Sequence, residues 1–172
     1  MTTSILEAIY NRRSIREYTS DPVSPDDLKA IVKAGSWAPS GLNNQPWRFI
    51  LISDSNIKLA LSDQTRYAHI IKAAPALIAV YLDKREMYDT VKDHQAAGAC
   101  IQNMLLAAEA LKLGAVWLGE ILNNKGEVNR ILDLEDNYDL MAVLAVGSPT
   151  HRNQKSQRKD IEYLILKEIQ EK

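Results

Sequence analysis

The stretch from His94 to Leu113 constrains the fold of this chain more than any other part of the sequence. Its residues have high helix propensity, and apolar side chains lie on more than one side of the helix. They form one stripe and a second set that widens it: Ala97, Cys100, Ile101, Met104, Leu105, Ala108 and Leu111, then Ala96, Ala99, Leu106, Ala107 and Ala110. Because such a helix is surrounded by protein, we expect it at the domain centre or at a subunit interface. We expect Gly114 to end it as the C′ residue.

The segments around this helix predict an α+β fold. Four short apolar runs are typical of strands, and they span residues 48–53, 75–83, 115–119 and 140–147. Helices are predicted after a capping box at Ser4, after Ser24 and its following proline, and at 56–62 and 124–132. Residues 84–93 are expected to form an exposed connection, and residues 160–169 a helix or an extended arm. The irregular order of helices and strands disfavours a doubly wound sheet.

Composition and charge exclude several classes of protein. A length of 172 residues predicts one domain, spanning 1–172. The formal net charge of -1 lacks the basic excess that is typical of nucleic-acid binding. Cys100 is the single cysteine, so an internal disulfide is impossible and reducing surroundings are expected. The chain starts without a signal-peptide pattern and has no apolar run of roughly 18 residues, so we expect a cytoplasmic protein that binds no membrane.

The sequence also lacks the motifs of metal and dinucleotide sites. His69, His94 and His151 are scattered without metal-ligand spacing, so we expect them at surface or helix-flanking positions. No Gly-rich dinucleotide fingerprint and no Walker-type loop is present. We therefore predict no metal site and no Rossmann-type nucleotide site.

Arginine is concentrated in the segment NRRSIREYT, residues 11–19. Arg12, Arg13 and Arg16 flank Ser14, and arginine suits phosphate because its planar guanidinium stays protonated and forms bidentate hydrogen bonds. Taken alone, the segment is best interpreted as a solvated charged turn. The loop APSGLNNQPW at 38–47 changes that interpretation, because it concentrates small hydrogen-bonding residues between a helix and a strand.

Four blocks of the sequence resemble the nitroreductase family of FMN-dependent oxidoreductases. In chain order they are AIYNRRSIREY, AGSWAPSGLNNQPWRFILI, AAGACIQNMLLAAEALKLGAVWLGEI and AVLAVGSP. They cover most of the chain, and the first two are the specific ones. The resemblance implies an α+β fold with an antiparallel or mixed central sheet flanked by helices. It also implies an intertwined homodimer with FMN at each of two sites in the subunit interface.

The resemblance assigns FMN contacts to the first two blocks. Arg12, Arg13 and Ser14 correspond to the family's run that serves phosphate and ribityl contacts. Arg16 takes the position that faces the pyrimidine edge of the isoalloxazine, where a cation stabilises negative charge on the reduced flavin. The family's loop that approaches FMN from the neighbouring subunit matches Pro39, Ser40, Asn43 and Gln45.

Two further contacts with the flavin are implied by the resemblance. Gly119 and Glu120 align with the segment whose backbone amides lie over the flavin ring, one of them bonded to N5. The family often supplies one polar contact from residues 60–70, and Gln64 and Arg66 are both candidates for it.

The C-terminal segment QKSQRKD resembles the segment that supplies the family's remaining phosphate contact. Arg158 is the best match to the phosphate-binding arginine, with Lys155 as a weaker helper. The proline that usually follows soon after that arginine is missing, since Lys159 is followed by Asp160. That departure leaves the register of this segment open.

The activity implied by the resemblance is hydride transfer from NADH or NADPH, through flavin N5, to a nitroaromatic, quinone or similar acceptor by a ping-pong route. The redox chemistry would belong to the flavin, so no catalytic side chain is assigned. One alternative is a same-fold specialist, such as a reductive dehalogenase or a flavin-processing enzyme. Another is a flavin-binding protein without enzymatic activity. The sequence selects neither the acceptor nor the nicotinamide donor.

Overall fold

A computed structural model describes residues 4–170. Four strands form one antiparallel sheet in the order β1-β2-β4-β3: β1 Trp47–Ile52, β2 Ala76–Asp83, β3 Gly114–Leu118 and β4 Tyr138–Gly147. The two central strands are buried along most of their length because both of their faces are covered by helices. The predicted α+β class and all four predicted strands are confirmed.

Residues 4–170 contain seven α-helices: α1 Ile5–Asn11, α2 Pro25–Ser36, α3 Ser55–Ser62, α4 Ala68–Ala73, α5 Thr90–Ala110, α6 Lys125–Ile131 and α7 Ile161–Leu164. Two further short segments are 3-10 helices, Gly41–Asn43 and Glu120–Asn124. The predicted caps form, since Ser4 and Ser24 each accept a hydrogen bond from the backbone three residues on. Helix α4 was not predicted, because it is six residues long and has no side-chain cap. Within residues 4–170, none of these helices combines the length and apolarity needed to cross a membrane.

The central helix α5 differs from its prediction at both ends. It begins at Thr90 rather than His94, because the Asp89 side chain caps it by accepting from the Lys92 N–H at 2.9 Å. Gly114 is not its C′ residue. The left-handed residue after the helix is Lys112, with φ 64°, and Gly114 instead begins β3. A Cβ on Gly114 would lie 2.7 Å from the Ile15 side chain, so packing against Ile15 requires glycine there.

Helix α5 lies against one face of the sheet together with α2. Its buried residues share a core with alternate residues of the central strands, such as Ile78 and Leu144. The opposite sheet face packs against α3, α4 and α6 through a second core. The outer side of α5 stays partly uncovered, and a Cβ built on Gly98 there would meet no atom within 4 Å. The rest of the chain therefore covers only one side of α5 completely.

Asp83, at the end of β2, is a buried carboxylate with cationic partners. Its side chain is 4% exposed, and its two oxygens accept hydrogen bonds from Arg85 at 3.0 and 3.1 Å. Arg48 adds an ion pair at 3.6 Å. The hydrogen bonds from Arg85 are the main cause that lowers the pKa of Asp83 to about 2.

This lowered pKa predicts a stability difference that depends on pH. The charged form stabilises the folded protein above the ordinary aspartate pKa of about 3.9, and that contribution is lost as pH falls towards 2. The melting temperature of Asp83→Asn should therefore lie furthest below that of the wild type above about pH 4 and approach it near pH 2. Thermal unfolding followed by circular dichroism between these values would measure the gap. A gap that stays constant with pH would contradict the assignment.

Candidate functional site

The arginine segment lies along the free edge of β3. Helix α1 ends at Asn11, and the chain turns away at Arg12, whose N–H still donates to the Ala8 carbonyl at 3.0 Å. Ser14 then pairs with Ala115 in an isolated parallel bridge, and the Ile15 N–H donates to the Ala115 carbonyl at 3.1 Å. The backbone pairing with Ala115 and the burial of the Ile15 side chain together hold the arginine segment against β3.

A cleft of 480 Å³, called the arginine cleft below, is formed by this segment and the C-terminal tail. All its lining residues are polar or charged: Arg12, Arg13, Ser14, Arg16, Gln154, Lys155, Ser156 and Arg158. The structure therefore brings together the predicted residues of the first block with Arg158 and Lys155, although they are about 140 residues apart in sequence. Gln154 and Ser156 were not predicted as site residues. The only sequence signal for them is that they lie in the same basic segment as Lys155 and Arg158.

Arg12 is the electrostatic centre of the arginine cleft. Its Nε–H is buried and has no hydrogen-bond partner. Burial is the main cause that lowers the pKa of Arg12, and repulsion from Arg158 and Arg13 lowers it further, against a weaker attraction to Glu109. A half-buried cation beside two other cations favours an anion as the missing partner, and phosphate has the geometry that guanidinium groups bind best.

The tail reaches the cleft because two other arginine side chains hold it. The Nε of Arg13 donates to the Gln154 carbonyl at 3.2 Å, and its Nη1 donates to the Tyr10 carbonyl at 2.8 Å. Arg152 donates to both carboxylate oxygens of Glu109, at 3.0 and 2.8 Å, near the end of α5. Arg13 thus lines the cleft while its hydrogen bonds tie the tail to α1.

A second cleft of 230 Å³, called the edge cleft, continues from the first along β3. It is lined by Arg16, Tyr67, Ile70, Val116, Trp117, Leu118, Gly119 and Glu120. Arg16 lines both clefts, so they adjoin at its side chain, and the pair of clefts is called the groove. One end of this groove is cationic, and the other is formed by the edge strand, its following turn and two aromatic side chains. Tyr67 and Ile70 were not predicted, because they belong to the α4 region that the sequence left unassigned.

The Glu120 side chain is turned towards the segment before α4. Its Oε2 accepts from the Thr65 hydroxyl at 2.5 Å and from the Arg66 N–H at 3.0 Å, while its Oε1 pairs with the Arg66 guanidinium at 3.2 Å. The Thr65 hydroxyl is the main cause that lowers the pKa of Glu120. Of the two candidates at 60–70, Arg66 is bound to Glu120, and the Gln64 carbonyl accepts from Asn124 at 2.9 Å. Neither lines the clefts.

The loop at 38–46 lies apart from both clefts of its own chain. Its predicted contacts form hydrogen bonds with one another, since the Ser40 hydroxyl accepts the Gln45 N–H at 3.1 Å and the Asn43 carbonyl accepts from the Gln45 side chain at 3.2 Å. Pro39, Ser40, Asn43 and Gln45 are absent from the lining of either cleft. Their contact with FMN across a subunit interface stays a prediction.

Comparison with known proteins assigns this chain to a family. The family model described as Nitroreductase family matches residues 9–66 and 57–148. The chain belongs to the nitroreductase family. The matched residues contain the arginine segment, the 38–46 loop, the candidates Gln64 and Arg66, and the turn at Gly119. The C-terminal arginine lies outside the match.

Relatives and solved structures of the nitroreductase family cover most of the chain. It is 34% identical over 147 residues to an Archaeoglobus fulgidus protein assigned as NADH dehydrogenase/NAD(P)H nitroreductase, covering 84% of each chain. It is 27% identical over 172 residues to the Bacillus subtilis FMN reductase [NAD(P)H], covering 90% of this chain and 69% of the relative. A Desulfovibrio desulfuricans protein crystallised in complex with FMN is 47% identical, with a TM-score of 0.93 over 99% of this chain and 100% of the other. The nitroreductase fold is thereby confirmed.

The Thr65–Glu120 hydrogen bond predicts a stability effect in this nitroreductase-family chain. Because Thr65 is buried and also accepts the Tyr67 N–H, Thr65→Val should lower the free energy of unfolding by about 1.5 kcal/mol, the low end for a hydrogen bond to a charged group. Thr19→Val is the matched control, since the Thr19 hydroxyl donates to Asp21 in an exposed hydrogen bond at 2.8 Å and should matter less. Urea unfolding curves would compare the two. Equal losses would contradict a stabilising role for this hydrogen bond.

Proposed function

We propose that this protein is an FMN-dependent oxidoreductase that transfers hydride from NADH or NADPH to a nitroaromatic, quinone or similar small acceptor. The observation that carries the proposal is the buried, unpartnered Nε–H of Arg12 at the cationic end of a groove. The D. desulfuricans relative with FMN and the B. subtilis FMN reductase support the choice of ligand.

The residues of the arginine cleft fit the phosphate of FMN. Arg12 and Arg158 offer guanidinium donors, and Lys155 adds a compact positive charge. The Ser14 and Ser156 hydroxyls lie in the same lining, and each has an O–H group that can donate to a phosphate oxygen. No acidic side chain lines the arginine cleft, so nothing in the lining repels a dianion.

The edge cleft fits the flavin ring. Bound FMN would supply the redox chemistry, a hydride transfer between the nicotinamide and the acceptor. Arg16 lines both clefts and would place its charge beside the pyrimidine edge of the ring. Gly119 and Glu120 would offer backbone amides, and the engagement of the Glu120 carboxylate with Thr65 and Arg66 supports a backbone role for this pair.

We propose further that the active unit is an intertwined homodimer in which the 38–46 loop completes the neighbouring FMN site. The tail after Asp160 supports it, since Tyr163, Leu166 and Ile169 are 70%, 99% and 84% exposed. Apolar side chains that extend in this way favour burial against another chain. The partly uncovered side of α5 gives a second surface for the same contact. The nicotinamide and the acceptor would use one place over the flavin in turn, which gives ping-pong kinetics.

Stopped-flow mixing tests the proposed reaction directly. Protein reconstituted with FMN should lose its visible flavin absorbance on mixing with NADH or NADPH without oxygen, and regain it when a quinone or nitroaromatic is added. Steady-state rates at several fixed acceptor concentrations should give parallel double-reciprocal lines. If neither nicotinamide bleached the bound flavin, the NAD(P)H-dependent reductase activity would be excluded, and the two alternatives of a same-fold specialist and a flavin-binding protein would remain.

The role of Arg12 predicts a loss of FMN affinity on substitution. Arg12→Ala should weaken FMN binding by about 1.5–3 kcal/mol, the scale for a lost hydrogen bond to a charged group. The matched control is Arg130→Ala, because Arg130 lies on α6 in an exposed ion pair with Glu127, away from the groove. Quenching of FMN fluorescence on titration with apoprotein would measure both affinities. An unchanged FMN affinity in Arg12→Ala would contradict a phosphate-binding role, and the segment would then be interpreted as a solvated charged turn.

A further inference from the structure

The loop between α2 and β1 has a backbone shape that costs free energy. Leu42, Asn43 and Gln45 have positive φ angles of 54°, 56° and 47°. Residues with a Cβ rarely adopt this left-handed region, and strained residues persist only where the surroundings hold them. Contacts outside these three residues must therefore stabilise the loop.

Asn44 supplies those contacts from the middle of the strained stretch. It stands between two left-handed residues, and its side-chain amide donates to the Glu86 carbonyl at 2.9 Å and to Asp93 Oδ1 at 2.8 Å. Glu86 lies in the segment that leads into α5, and Asp93 lies in the first turn of that helix. The loop is thus attached at its centre to the start of α5.

The beginning of the loop lies against the same segment. A Cβ on Gly41 would fall 1.9 Å from the Tyr88 hydroxyl oxygen, so the Gly41 backbone and the Tyr88 ring are in direct contact. Because the Tyr88 side chain is exposed, a side chain at position 41 would displace its ring. The loop therefore touches residues 86–93 at Gly41 and is hydrogen-bonded to them through Asn44.

Asp93 is the fixed point of this arrangement. Asp93 is fully buried. Its Oδ2 accepts hydrogen bonds from the backbone N–H groups of Tyr88 and Asp89, both at 2.9 Å. Burial alone raises the pKa of Asp93, but the hydrogen bonds from Asp89, Asn44 and Tyr88 together lower it below its ordinary value. The carboxylate therefore stays charged and able to accept three hydrogen bonds at neutral pH.

We infer that Asp93 is a positioning residue for the FMN site: acting through Asn44, it holds the 38–46 loop in the shape that presents Ser40, Asn43 and Gln45 to the neighbouring subunit. The inference rests on the proposed function, since it is there that the loop completes the neighbouring FMN site. A loop already held in its binding shape loses little freedom when the ligand binds. Asp93 thereby contributes to FMN affinity without touching FMN.

The first test removes the amide of Asn44 in the full chain. Asn44→Ala should raise the dissociation constant of FMN about tenfold, equivalent to roughly 1.4 kcal/mol, as measured by fluorescence quenching. Asn129→Ala is the matched control. The Asn129 amide also donates to a backbone carbonyl, that of Tyr138 at 3.0 Å, and its Oδ1, like that of Asn44, is buried without a partner. Asn129 lies on α6, outside the lining of both clefts. The Asn129→Ala variant should therefore have a lower melting temperature than the wild type, with an FMN affinity within about twofold of the wild-type value.

The second test exchanges donor and acceptor. Asp93→Asn places an amide among three donors and should weaken FMN binding at least as much as Asn44→Ala. Adding Asn44→Asp restores a 44–93 hydrogen bond with its direction reversed but loses the one to the Glu86 carbonyl, so the double variant should recover part of the FMN affinity that Asp93→Asn alone loses. A general loss of stability would not produce this recovery. If Asp93→Asn shows no cooperative unfolding, the Asn44→Ala and Asn129→Ala pair decides the question.

The outcomes separate this inference from the proposed function. Wild-type protein that binds FMN, with an Asn44→Ala variant that binds it equally well, would overturn the role of Asp93 and leave the proposed function intact. An Asn129→Ala variant that loses as much affinity as Asn44→Ala would also overturn it, because the effect would then follow stability alone. Wild-type protein that does not bind FMN would overturn both.

Discussion

The burial of Ile15 against Gly114 is the constraint on which the candidate site depends. Gly114 leaves room for the Ile15 side chain at the start of β3, and the adjacent Ser14–Ala115 bridge aligns the arginine segment with the free edge of the sheet. This register places Arg16 where it lines both clefts. A larger residue at 114 would displace the segment and separate the cationic end of the groove from its edge-strand end.

The groove concentrates positive charge that the folded chain does not neutralise. Arg13 and Arg158 both repel Arg12, and the hydrogen bonds of Arg13 and Arg152 hold the tail in place despite that repulsion. An anion bound between these cations would relieve the repulsion and partner the buried Nε–H of Arg12. Repulsion among these cations destabilises the folded chain, and a bound phosphate group would remove that repulsion. Phosphate binding should therefore also raise the stability of the fold.

The sequence predicted what depends on local pattern. Apolar runs located the four strands, and Ser4 and Ser24 located two helix starts, because caps and periodicity act over a few residues. Gly114 was misassigned, since its glycine is required by contact with Ile15, about 100 residues away in the chain. Tyr67 and α4 were missed because a six-residue helix without a cap has no local signal. The gathering of Arg12 with Arg158 followed only from the family resemblance, and the bond between Asn44 and Asp93 had no sequence signal at all.

Binding of FMN compared with riboflavin tests the central claim most directly, because the two ligands differ only by the phosphate. Both dissociation constants would be measured on the wild-type apoprotein by fluorescence quenching in one buffer. If the arginine cleft binds the phosphate through at least two charge-assisted hydrogen bonds, FMN should bind at least about a hundredfold more tightly than riboflavin. Equal affinities for the two flavins would show that the cationic cleft does not receive the phosphate.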